Sequence, residues 1–192
     1  MAWWKFGRSK AEVVEAGWLG EKIADVLDPT AMLETIRGWH NLPTDDSRSF
    51  VAVVSLRMTG FGIGTSQKSV TDHIGKKELF EMHNGLIGTL IDRSLSDERP
   101  NFQPYDLLKR IMELSQALTE VFYAHSSSKP PQPIPHYYVG KALCGYLQNG
   151  GVPNPEEVFT FADYLSKSMI ATKSLLDELI EANVRIVASK NA

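Results

Sequence analysis

Five histidines, His40, His73, His83, His125 and His136, are the side chains best suited to acid–base or metal chemistry in this sequence. Helical metal sites place two ligands three or four residues apart, so that both lie on one face. No two of these histidines have that spacing, so a metal centre would need ligands converging from separate helices. Asp72, His73, Glu78, Glu81 and His83 crowd one region, but His83 falls beside an apolar stripe while Glu81 is expected to point elsewhere. Half-buried histidines are therefore expected, without a metal. Were the chain an enzyme, its pocket would join His73, Glu78 and His83 to His136 and Tyr137 further along the chain.

Nucleophile and phosphate chemistry fit less well. Cys144 is the single cysteine and is followed by Gly145, a small-residue helix face that reads as packing. A reactive thiol needs an electropositive, accessible setting, and His136 lies two helical turns away. Serines are plentiful, but no Gly-x-Ser-x-Gly elbow occurs. Gly62-Ile63-Gly64-Thr65-Ser66-Gln67-Lys68-Ser69 approaches a phosphate-binding loop, yet Gln67 stands where the motif needs glycine before the lysine. Gly60, Gly62 and Gly64 are too closely spaced for a dinucleotide fingerprint, and the alternating strands and helices of a nucleotide-binding sheet are missing. The segment 60–69 is expected to be a loop. No cofactor and no catalytic residue is assigned.

Two features point instead to contacts with other molecules. Trp3, Trp4 and Phe6 alternate with Lys5 and Arg8 in an aromatic and basic arm over residues 1–8, with Lys10 just beyond it. Such an arm can fold back onto the body, meet a protein partner, or lie at a membrane surface. At the other end, Val158, Ala162, Leu165, Met169, Thr172, Leu176, Leu179, Asn183 and Ile186 alternate spacings of four and three. That is a heptad seam, with Asn183 where a buried amide could set register or oligomer state. The seam serves either a bundle within the chain or a homodimer, and both predict burial.

The elements that must position these residues read as helices. Ser9 and Glu12 make a capping box, and Ala16, Leu19, Ile23, Val26 and Leu27 follow at helical spacing. Asp28-Pro29 restarts the chain with an N-cap acid and proline at the first helical position. FVAVVSLRM, residues 50–58, has strand composition but no convincing partner strand, so a buried helix is expected. Residues 69–95 are helical with a break at Gly75. Leu107, Leu108, Ile111, Leu114, Leu118, Val121 and Phe122 mark a clear amphipathic helix. A connector with four prolines spans 126–135, and a short helix covers 136–148. Asn154-Pro155-Glu156-Glu157 is the strongest helix start, opening a helix expected to reach residue 189.

With 192 residues, 43% hydrophobic and 22% charged, the chain can bury a core as one domain. A net charge of -3 leaves no electrostatic footprint for nucleic acid. One cysteine forbids an internal disulfide and fits a reducing, cytoplasmic setting. Residues 1–10 lack a signal-peptide core, and no apolar run approaches a membrane span. The expected fold is all-α, a bundle of about six helices with a long C-terminal helix. Its expected role is protein binding or regulation through self-association. The alternatives are a small helical enzyme with polar residues converging from several helices, and a peripheral membrane-surface protein.

Overall fold

The apolar run at 50–58 is helical, and the fold is organised around it. In the computed structural model, which describes residues 13–40, 47–95, 104–126, 134–148 and 152–189, it belongs to α3 (Ser47–Thr65). The other elements are β1 (Val13–Glu15), α1 (Ala16–Val26), α2 (Thr30–His40), α4 (Lys68–Thr71), α5 (Lys76–Leu95), α6 (Pro104–Ser126), α7 (Pro135–Leu147), α8 (Pro155–Glu181) and β2 (Arg185–Val187). The chain is all-α, with eight helices among the described residues. That is close to the expected bundle of about six, and 68–95 divides at Gly75, as expected, into the single turn α4 and the long α5. Among the described residues, one hydrophobic cluster draws on all eight helices.

A helix apolar on every side must be covered on every side. α5, α6, α7 and α8 all pack against α3, as does α2. Several of its polar side chains engage the neighbours. Ser55 Oγ donates to the Ile111 carbonyl of α6 at 3.1 Å, and Ser115 Oγ donates back to the Ser55 carbonyl at 3.1 Å. Arg57, only 8% exposed, donates to Ser168 Oγ of α8 at 2.7 Å and to the Asp28 carbonyl at 3.3 Å. Its guanidinium also lies over the Tyr164 ring, 5.1 Å from the centroid. Burial lowers its pKa from the ordinary arginine value, an effect opposed by Tyr164 and Asp28. These contacts offset part of the hydration the buried charge gives up, although its Nε is buried without a hydrogen-bond partner.

Several sequence expectations need correction. The segment 60–69 is not a loop: Gly60 to Thr65 complete α3, and only the turn at Ser66 and Gln67 precedes α4. Gly60 and Gly64 are there for packing. A Cβ at Gly60 would sit 2.5 Å from Ser168 Cβ, and one at Gly64 would meet the Met169 carbonyl oxygen at 3.0 Å. One helical turn apart, they let α3 and α8 approach backbone to backbone. The same device brings α1 onto α5, where Gly20 abuts the Met82 carbonyl and Gly85 the Gly17 carbonyl. The first helix opens at Ala16 rather than near Ser9, because Val13–Glu15 pairs in parallel with Arg185–Val187. The Ser9–Glu12 box lies outside the described residues, as do residues 127–133 of the proline connector.

The last helix starts as expected: Asn154 accepts a hydrogen bond from the Glu156 N–H, with Pro155 in the first turn. It ends early, at Glu181 and not at 189. Asn183 adopts φ 56°, the left-handed conformation that closes a helix. Its N–H donates to the Ile180 carbonyl and the Val184 N–H to the Leu179 carbonyl, both at 3.0 Å. Asn183 is therefore an exposed C-terminal cap and not a buried seam residue.

Gly62 separates the two packing glycines and faces the other way, exposed, with nothing within 4 Å of a Cβ placed there. Gly62→Ala should raise stability by about 1 kcal/mol through helix propensity alone. Gly60→Ala should lower it by about 1–3 kcal/mol through overpacking against Ser168. Urea unfolding of the two variants checks this, and shifts of the same sign would contradict the packing described.

Candidate functional site

α6 carries two apolar stripes. One, including Leu107, Ile111, Leu118 and Phe122, is buried in the core. The second runs beside it through Tyr105, Leu108 and Met112 at spacings of three and four, and here Tyr105 is 75% and Met112 51% exposed. α5 presents a matching row of His83, Ile87 and Ile91. Because α5 and α6 both lean on α3, the rows face each other across a groove of about 460 Å³. Met58 and Gly62 of α3 also line it, and Ser115, Gln116 and Thr119 of α6 lie towards one end. The groove extends past Gly88 and Asp92 of α5.

His83 is the titratable group most closely tied to this surface. Its ring lies 6.3 Å from that of Phe61. Burial pushes its pKa below the ordinary histidine value, and a hydrogen bond with Asn84 opposes the shift. The folded chain thus holds His83 neutral.

The other enzyme-pocket residues do not converge on it. His73 and Glu78 line a separate groove of about 470 Å³ with Ile180 and the residues 183–186. There His73 Nδ1 donates to the Ser69 carbonyl at 3.0 Å. His136 and Tyr137 belong to an aromatic cluster where α6, α7 and α8 meet. The His136 ring stands edge-on to Phe122 at 5.3 Å, and Tyr137 lies 5.5 Å from Phe159. His136 Nδ1 is buried without a hydrogen-bond partner, and burial lowers its pKa as well. The expected pocket joining His73, Glu78, His83, His136 and Tyr137 is therefore not built: its members lie in three places. Cys144 is fully buried, and burial, aided by the neighbouring Glu157, pushes its thiol up to about 12. It stays protonated at neutral pH, which disarms it as a nucleophile.

The seam on α8 packs within the chain. Leu165, Leu176 and Leu179 are buried in the core, and Met169 is half-buried against it. Trp3, Trp4 and Phe6 lie outside the described residues. Among the described residues, no group of three or more His, Cys, Asp or Glu side chains could hold a metal ion, and no helix is long and apolar enough to cross a membrane. Sequence reasoning missed Tyr105 and Met112, and it read Gly62 as part of a loop. The i, i+3, i+7 spacing of Tyr105, Leu108 and Met112 was the available signal, but it merges with the core stripe one position away. Comparison with protein-family models, curated proteins and solved structures finds no match.

The lowered pKa values fix the sign of an acid effect. Below the ordinary histidine value of 6.5, the unfolded chain takes up protons that folded His83 and His136 resist. Stability is therefore full above that pH and falls as pH drops towards the folded values. Melting temperature should decline from pH 7 to pH 5, and His83→Gln with His136→Gln should flatten the decline. Identical slopes for wild type and double variant would contradict the assignment.

Proposed function

We propose that the chain is a helical protein-binding module whose docking surface is the α5–α6 groove and whose partner presents an amphipathic helix. The observation that carries this reading is the second stripe of α6, which the described residues leave uncovered opposite Ile87. From Tyr105 to Thr119 the α6 wall runs roughly 21 Å, the length of a helix of about four turns. A partner helix seats side chains at i, i+3, i+4 and i+7 in such a groove. Met112 supplies an adaptable, polarisable contact of the kind binding surfaces use. Gly62 and Gly88 add no side chain and let a partner approach the backbone closely; neither has an atom within 4 Å of a placed Cβ.

Self-association through the α8 leucines is not favoured, since those side chains are occupied within the chain. A second copy would have to use the groove. A cytoplasmic setting is part of the proposal and rests on the single buried thiol.

Selection of amphipathic helical peptides against the full chain tests this reading. Binders should lose at least tenfold in affinity to Gly62→Phe or Met112→Glu, about 1.4 kcal/mol or more, and be indifferent to Phe159→Glu on α8. Binders insensitive to both groove substitutions would overturn it. Light scattering at tens of micromolar identifies the remaining occupant: a dimer dissolved by Gly62→Phe would make the partner a second copy.

A further inference from the structure

Among the described residues, His83 is the one histidine that lines the α5–α6 groove. It borders both the stretch that reaches Gln116 and Thr119 and the stretch that reaches Ile91 and Asp92. Ile87 and Ile91 follow it at spacings of four, so all three lie along the α5 wall. An aromatic ring of α3 backs it, with the Phe61 centroid 6.3 Å away, and Asn84 supplies a side-chain hydrogen bond. A partner helix seated in the groove would therefore cover His83.

The other titratable groups of the groove leave the neutral pH range to this histidine. α6 contributes Tyr105, Lys109 and Glu113, the last two ion-paired at 3.9 Å. α5 contributes Asp92, and α3 contributes Met58 and Gly62, which carry no charge. Carboxylates titrate near pH 4, and lysine and tyrosine near pH 10, so between pH 5 and pH 8 His83 alone changes the charge of these walls. Covering it removes water that would solvate an imidazolium, and desolvation disfavours the charged form. Burial in the free chain already acts in that direction, so the complex holds the ring neutral more strongly than the free chain does. Protons and partner then compete. Affinity is complete above the pKa of the free chain and falls as pH drops through it, by at most about tenfold per pH unit for one proton.

We propose that His83 is a proton-sensitive gate on the α5–α6 groove: neutral, it admits the apolar face of a partner helix, and protonated, it releases that helix. This rests on reading the groove as the docking surface, and it adds control of the groove's occupancy by pH.

The test uses the full chain and selected amphipathic helical peptides whose only charged side chains are lysine and arginine, so that the peptide itself does not titrate between pH 5 and pH 8. Circular dichroism confirms that each protein keeps its helix content at every pH used. Peptides whose binding is lost in Gly62→Phe should bind wild type severalfold more weakly at pH 5 than at pH 7.5. His83→Gln, which keeps a hydrogen-bonding amide but takes up no proton, should bind equally at both, while His136→Gln should retain the wild-type decline. Groove-dependent binding that is independent of pH in wild type, or that strengthens in acid, would overturn the gate and leave the docking surface standing. A decline that persists in His83→Gln would assign it to another group and also overturn the gate. Absence of any peptide sensitive to Gly62→Phe would count against both readings. A second measurement avoids strong acid. Calorimetry at pH 6 in two buffers of different ionisation enthalpy should show a fraction of a proton released when a peptide binds wild type and none when it binds His83→Gln. Equal proton release by the two proteins would overturn the proposal.

Discussion

α3 gives up solvent on nearly all sides, and that constraint shapes the rest of the molecule. Sixteen of its 19 residues are buried, so its neighbours must cover it while pairing most of its buried polar groups; Ser49 Oγ and Arg57 Nε are left without a hydrogen-bond partner. Two solutions appear on different faces. Towards α8, Gly60 and Gly64 remove side chains and let two helices meet at their backbones. Towards α6, Ser55 and Ser115 exchange hydrogen bonds with opposing carbonyls. Arg57 ties the same helix to α8 and to the turn before α2. These contacts fix where α6 and α8 stand, and α5 is set in turn by its close approach to α1.

The groove is a consequence of that arrangement. α5 is committed to α1 on its Met82 and Leu86 side, and α6 is committed to α3 through Ile111 and Leu118. Neither turns far enough to close over Gly62. What is left between them is a strip with apolar walls, in which Tyr105 and Met112 stay exposed. Large exposed apolar side chains gathered in one concave strip mark a contact surface more strongly than the same residues scattered singly. The buried leucines of α8 and the protonated Cys144 are, by contrast, consumed by the core.

Local signals were legible in the sequence where the physics is local. Asn154 and Pro155 open α8 because a cap and a fixed φ act within one turn, and Asp28 accepts from the Thr30 N–H at 2.9 Å for the same reason. The run 50–58 was readable as a buried helix because the remaining chain held no partner strand of comparable length. Gly60 to Gly64 misled because glycine looks alike whether it loosens a loop or permits a close crossing; only the presence of Ser168 and Thr172 opposite decides. The heptad pattern ran through Asn183 without a slip, yet asparagine's tolerance of positive φ ended the helix there. Three-residue strands joined across 172 positions left no periodic trace. The candidate site was least legible. Exposure of Tyr105 and Met112 depends on how two helices lean on a third, and the separation of His73, His83 and His136 into three places is likewise tertiary.

Native-state hydrogen exchange of the full chain measures the central role of α3 directly. Backbone amides from Ala52 to Gly64 should be the slowest to exchange and should do so only through global unfolding, with the stability they report equal to that from urea unfolding. Amides of α5 and α6 should also exchange through smaller, local openings. Exchange in α3 that is faster than in α1 or α7, or that proceeds by local opening under native conditions, would contradict a fold organised around that helix.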